Sequence, residues 1–200
     1  MGRKLRILFT WSAAAFATWD LARGYRAALE RQHRHVIRDY RLYERMRFYA
    51  EALGEPRNQN MTLVSRLASD NIVVEAMRHK ADVVLMISGM GLHPDAVWML
   101  RRAGIRAAVL FTESPYNDVQ QREFHAVYPE MQCFTTERVS ATGGWTYLPH
   151  AHDRAIHRPI PSELEWDVLM VGTFWPERIR LLEQVDWRGI KVKFMGTWVA

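Results

Sequence analysis

The chain has 200 residues, 48% hydrophobic and 24% charged, with a formal net charge of +5. That profile excludes a disordered or fibrous chain, and the length suits one well-buried domain plus part of a second. No apolar stretch approaches the roughly 20 residues that span a bilayer, and the single cysteine, Cys133, excludes an intramolecular disulfide and fits a reducing, cytoplasmic setting.

Arg3, Lys4 and Arg6, then Ile7 to Phe9 and three alanines, have the outline of a short signal peptide, but Trp11 and Ser12 interrupt it. Leu5–Thr10 therefore reads as the first sheet strand. Met1-Gly2 lacks the Ser or Thr at position 6 that myristoylation requires. A helix is predicted from about Phe16 to Arg31, with Phe16, Trp19, Ala22, Tyr25 and Leu29 on one face. His35–Arg38 follows as a weak strand, Tyr43–Leu53 as a helix ending at Gly54, and Glu55–Asn60 as a loop. Thr62–His79 is predicted helical, with Leu63, Leu67, Val74 and Met77 turned inward. Val83–Ile87 reads as a buried strand. Pro94 and Asp95 open a helix that Arg101 and Arg102 close, with Gly104 past its end. Ile105–Phe111 is a strand, Asn117–Ala126 a helix, and Gln132–Thr135 and Trp145–Leu148 are short strands.

This regular alternation predicts an α/β fold built on a doubly wound parallel sheet. It lapses over residues 149–165, where prolines at 149, 159 and 161 accompany His150, His152 and His157, and that stretch reads as a linker. A second series then begins. Asp167–Val171 is a continuous apolar run expected to be buried on both faces; Gly172 ends it, and Pro176 and Glu177 open a helix. Ile179, Leu182 and Val185 share helical spacing, Gly189 breaks, and Ile190–Met195 starts another strand. The expected organisation is one domain over 1–148, a linker over 149–165, and an incomplete second domain over 166–200.

In parallel sheets, ligands collect beyond the carboxyl ends of the strands, and four loops occupy that position. The loop after the first strand, Trp11–Ala15, contains Ser12 and lacks the glycine fingerprint of dinucleotide sites. Ser88–His93 holds Gly89 and Gly91, which suit either a tight turn or close approach of a ligand. Thr112–Tyr116 offers Glu113 as a general base or a sugar-orienting carboxylate, or as a helix cap, with Ser114 and Tyr116 beside it. Gly172–Trp175 leads into a helix N-terminus that favours an anion, with Thr173 and Arg178 at hand and Glu177 opposing. His150 and His152 have strand-like ligand spacing but no further ligand set nearby, so no metal site is expected. The late tryptophans, Trp145, Trp166, Trp175, Trp187 and Trp198, read as packing residues.

The run Val168-Leu169-Met170-Val171-Gly172-Thr173-Phe174-Trp175-Pro176-Glu177-Arg178, with Phe194-Met195-Gly196-Thr197-Trp198 downstream, resembles the CgeB-like glycosyltransferases, named for a spore maturation protein. Tyr147-Leu148-Pro149-His150-Ala151-His152-Asp153 resembles the segment in which such enzymes leave their first domain. The resemblance implies a GT-B architecture of two Rossmann-like domains, an acceptor in the first and a nucleotide-sugar donor in the second, with no bound cofactor or metal. On that basis Gly172, Thr173 and Arg178 are expected at the donor diphosphate. Ser12, Gly89, Gly91, Ser114 and Tyr116 are expected on the acceptor side, with Glu113 as the catalytic candidate. The family's later elements that grip base and ribose are absent from the sequence, so the chain alone is expected to bind a donor poorly. The alternative is a non-catalytic Rossmann-like module that contacts nucleic acid or another polyanion. Its basis is the stretch of Arg31, Arg34, Arg38, Arg41, Arg45 and Arg47, interleaved with Tyr40, Tyr43, Phe48 and Tyr49, which equally suits a solvated surface.

Overall fold

A computed structural model describes residues 3–11, 17–54, 61–112, 118–138 and 145–199. The chain divides into two compact units, Met1–Asp153 and Arg154–Ala200. In the first, the elements are β1 (Arg6–Trp11), α1 (Ala17–Arg31), β2 (Val36–Arg41), α2 (Leu42–Ala52), α3 (Met61–His79), β3 (Val83–Ile87), α4 (Pro94–Arg102), β4 (Arg106–Phe111), α5 (Asp118–Val127), β5 (Gln132–Thr135) and β6 (Thr146–Tyr147). The second contains β7 (Val168–Val171), α6 (Pro176–Glu183) and β8 (Val192–Met195).

The first unit is a six-stranded sheet of order β2-β1-β3-β4-β5-β6. Every neighbouring pair is parallel. This is the predicted doubly wound, Rossmann-like α/β fold. One strand, β2, lies beyond β1, whereas classic dinucleotide-binding sheets carry two there. The strands are apolar on both faces because both faces are covered. Leu8, Val84, Met86, Val109 and Phe111 belong to a core shared with Leu42 of α2, Ala68 and Ile72 of α3, Val97 of α4 and Phe124 of α5. The alternating residues Phe9, Trp11, Ile87 and Leu110 face the other way, against Ala22, Trp19 and Tyr25 of α1. Adjacent residues on a strand point to opposite faces, so each strand serves two cores.

Two expectations about faces are corrected. On α3 the inward positions are Val64, Ala68, Ile72, Val73 and Ala76, while Leu63, Val74 and Met77 are exposed, Met77 by 56%. The buried set faces the neighbours of α3, which are α2 and α4 on its flanks and β1 and β2 of the sheet, and the exposed set falls on the remaining face. In the second unit, β7 and β8 form a two-stranded parallel sheet of their own. Leu169 and Val171 of β7 are 55% and 69% exposed, against the expectation of a strand buried on both faces. A two-stranded sheet with one short helix leaves apolar strand surface uncovered.

Candidate functional site

The order of the first sheet reverses at β1: the chain steps to β2 on one side and to β3 on the other. The crevice at such a reversal lies past the carboxyl ends of β1 and β3. Of the sequence-predicted acceptor-side residues, Ser12, Glu113, Ser114 and Tyr116 lie outside the described residues; Gly89 and Gly91 stand in the loop after β3.

That loop is tightly strapped. The Ser88 N–H donates to Leu110 O at 2.7 Å, the Ser65 hydroxyl donates to Gly91 O at 2.7 Å, and the His93 N–H donates to the Ser69 hydroxyl at 2.9 Å. The Gln120 amide donates to Leu92 O at 3.2 Å. His93 caps α4, its Nδ1 accepting the Asp95 N–H at 3.2 Å. Gly89 has φ +75°, and a Cβ there would sit 3.2 Å from Cε2 of Phe124. Gly91 has φ +76°, and a Cβ would meet Sδ of Met46 at 2.9 Å. Both glycines are thus accounted for by backbone conformation and packing.

Ser88 is different, and sequence reasoning missed it. Its φ is +73°, a left-handed conformation that costs an L-residue about 1–2 kcal/mol. Its side chain is only 2% exposed, and among the described residues the hydroxyl has no hydrogen-bond partner. Thr10, one residue before the end of the neighbouring strand β1, is 1% exposed with its hydroxyl likewise unpartnered among the described residues. No sequence pattern marks either position, because a serine in a left-handed turn has no local signature.

In the second unit, Gly172, Thr173 and Arg178 come together. The Arg178 guanidinium donates through Nη1 to Thr173 O at 2.6 Å and lies 3.3 Å from where a Gly172 Cβ would be. α6 starts with Pro176 after Trp175, which supplies no side-chain cap, so the first-turn N–H groups have no acceptor from an N-cap side chain. Glu177, the opposing acid, pairs with Arg180 at 3.0 Å. The register that pairs Val171 with Met195 continues past the strands to an isolated bridge between Phe174 and Trp198. Gly172-Thr173-Phe174 therefore runs beside Gly196-Thr197-Trp198. A Cβ on Gly196 would stand 1.8 Å from Gly172 O, so the two strand ends approach as closely as backbones can. Phe174 is fully buried and stacks on Trp198 at 4.4 Å and 14°. An uncapped helix start, an anchored guanidinium and strand-end threonines make a setting suited to an anion.

The basic stretch is largely neutralised by its own neighbours. Arg31 pairs with Asp153 at 3.4 Å, Arg38 with Glu75 at 2.7 Å, Arg41 with Glu44 at 3.0 Å and Arg47 with Glu51 at 3.4 Å. The Arg41 guanidinium also lies over the rings of Trp11 and Trp19, at 5.3 and 5.1 Å. Burial pushes the Cys133 thiol up to about 11, the opposite of what a thiolate nucleophile needs. Among the described residues, no group of three or more His, Cys, Asp or Glu side chains is placed to hold a metal ion. No described helix is long and apolar enough to cross a membrane.

Neither protein-family models nor curated proteins match this chain.

Proposed function

We propose that the chain belongs to a glycosyltransferase that uses a nucleotide-sugar donor. The second unit meets the donor diphosphate, and the first unit carries the acceptor side. The observation that carries this reading is the convergence of Gly172, Thr173 and Arg178 on the start of α6. Breaking a sugar–diphosphate bond builds negative charge on the leaving group, which a helix N-terminus and a guanidinium stabilise. At Gly172 only the Arg178 guanidinium lies near the place of a side chain, which keeps the approach to the start of α6 open to a diphosphate. No metal or cofactor is part of the proposal. The acceptor would sit past β1 and β3, where parallel sheets bind ligands. The polyanion reading draws less support, since four of its six arginines already hold carboxylates.

The test is a panel of UDP-, GDP-, dTDP- and CMP-sugars offered to the full chain, with binding followed by calorimetry and hydrolysis by release of the nucleotide. At least one donor is expected to bind, weakly, because the elements that would grip base and ribose are not in this sequence, so the panel is run up to millimolar donor. Arg178→Ala is expected to weaken that binding about tenfold or more, the scale of a charge-assisted hydrogen bond. A chain that responds to no donor, or an Arg178→Ala variant that binds as well as the parent, overturns the reading.

A further inference from the structure

Resting on the acceptor-side reading of the first unit, we infer that Ser88 is a ligand-contacting residue whose hydroxyl bonds a hydroxyl of a neutral sugar at the β1/β3 reversal.

Three observations converge on this residue. The first is position: Ser88 follows directly on β3, at the carboxyl end of one of the two strands that flank the reversal. The second is strain, because φ +73° suits glycine, and the adjacent Gly89 and nearby Gly91 already supply that freedom in the same loop. Backbone strain held at a non-glycine residue at a strand end is a recurrent mark of ligand-binding positions. The third is the hydroxyl itself, buried and without a partner among the described residues. A buried polar group left unpaired carries a cost that glycine at this position would not. Packing explains the glycines of this loop and does not explain its serine.

The chemical class follows from the surroundings. The other strand of the reversal also carries, one residue before its end, a buried hydroxyl without a partner among the described residues, that of Thr10. The side chains that strap the loop, Ser65, Ser69, His93 and Gln120, bring no charge and already bond the main chain, which leaves the Ser88 and Thr10 hydroxyls as the unpartnered groups there among the described residues. Arg66, the guanidinium tied to the start of α4, is committed to Asp95 at 3.3 Å. Neutral donors and acceptors of this kind suit sugar hydroxyls better than phosphate or carboxylate. A buried hydroxyl also discriminates: a ligand that bonds it gains, and one that lacks the matching group leaves it unpaired.

The experiment is an NMR titration of the full chain with the methyl glycosides of glucose, galactose, mannose and N-acetylglucosamine. It reads the amide shifts of Gly89, Gly91 and Leu92 and is repeated on Ser88→Ala and Ser88→Gly. Ser88→Ala deletes the hydroxyl and keeps the backbone constraint; Ser88→Gly removes both. At least one glycoside is expected to shift those amides saturably. Both variants are expected to melt at or above the parent temperature and to bind that glycoside about tenfold or more weakly. If no glycoside shifts these amides, or if the variants bind as the parent does, the hydroxyl serves a buried water or the fold alone and the inference fails. Sugar nucleotides titrated into the same samples keep the two ideas apart. Donor binding without glycoside binding sinks this inference and leaves the proposed function standing. Glycoside binding that depends on Ser88, with no donor response, upholds the sugar site while the transferase reading falls.

Discussion

Asp82 stands just before β3 and ties three strands together at the amino edge of the sheet. Its carboxylate accepts the Arg6 N–H at 2.8 Å and the Arg3 guanidinium, while its carbonyl accepts from Nε of Arg106 at 3.3 Å. The Arg6 hydrogen bond, more than the neighbouring arginines, holds the carboxyl below the usual carboxylate range. A carboxyl with a depressed folded pKa adds stability that is complete above the unfolded value, near 3.9, and is lost as pH falls through the folded value. Asp82→Asn is therefore expected to lower Tm at pH 7 and to converge on the parent at acid pH. Melting curves across that range check this, and a constant gap would contradict it. Two glycines separate conformation from crowding in the same way. Gly104 has φ +67° with nothing within 4 Å of an added Cβ, whereas Gly89 has φ +75° with Phe124 at 3.2 Å. Gly104→Ala should cost only the left-handed penalty of about 1–2 kcal/mol. Gly89→Ala should cost more, because the Phe124 ring is itself stacked on Phe111 and has little room to move. Urea denaturation of the two variants measures the difference, and equal losses would show that the contact at Gly89 relaxes freely.

At the scale of elements, the Gly172–Gly196 approach makes its own prediction. Gly196→Ala places a methyl group against a main-chain oxygen, which no rotamer change relieves. The Gly172 N–H to Met195 O bond at 2.9 Å and the Phe174 N–H to Thr197 O bond at 2.8 Å should open. Hydrogen exchange should lose protection at those two amides while β1, β3 and β4 are unchanged; retained protection would mean the strand ends tolerate a side chain. This contact also marks where sequence reading reached its limit. The bounds of α4 were legible because Pro94, Asp95 and Gly104 signal them locally. The strands and helices of the described residues followed from apolar periodicity, to within a few residues at their ends. The inner face of α3 was not legible, since Leu63, Val64, Leu67, Ile72, Val73, Val74 and Met77 make it apolar nearly all round. Only packing against α2, α4 and the sheet selects Val64, Ala68, Ile72 and Ala76. Gly172, Thr173 and Arg178 were legible as a turn entering a helix, but their facing Gly196 and Thr197 depend on strand register, a tertiary property. The Ser88 conformation had no local signal at all.

For the molecule as a whole, the two units differ in what each buries by itself. The first unit carries two cores, one on each face of its sheet, with Phe9, Phe111 and Phe124 almost wholly buried. Among the described residues of the second unit, the buried hydrophobic side chains are Phe174 and Leu182, with Trp187 and Phe194 packed edge-on at 5.6 Å. Hydrophobic burial is the main favourable term in folding, and it must exceed the ordering cost of every residue held in place. An element with few buried apolar contacts therefore opens at a free energy well below that of global unfolding. Native-state hydrogen exchange on the full chain should find the β7 and β8 amides at least about a hundredfold less protected than those of β1 and β3. A sugar nucleotide bound at the start of α6 stabilises only the folded form of that unit, so it should raise protection there in proportion to its saturation. It should leave the exchange of β1 and β3 through local opening unchanged. Equal protection in both units without ligand would show that the second draws on stability beyond its own small core. A donor that binds without slowing exchange in β7 and β8 would place its site elsewhere.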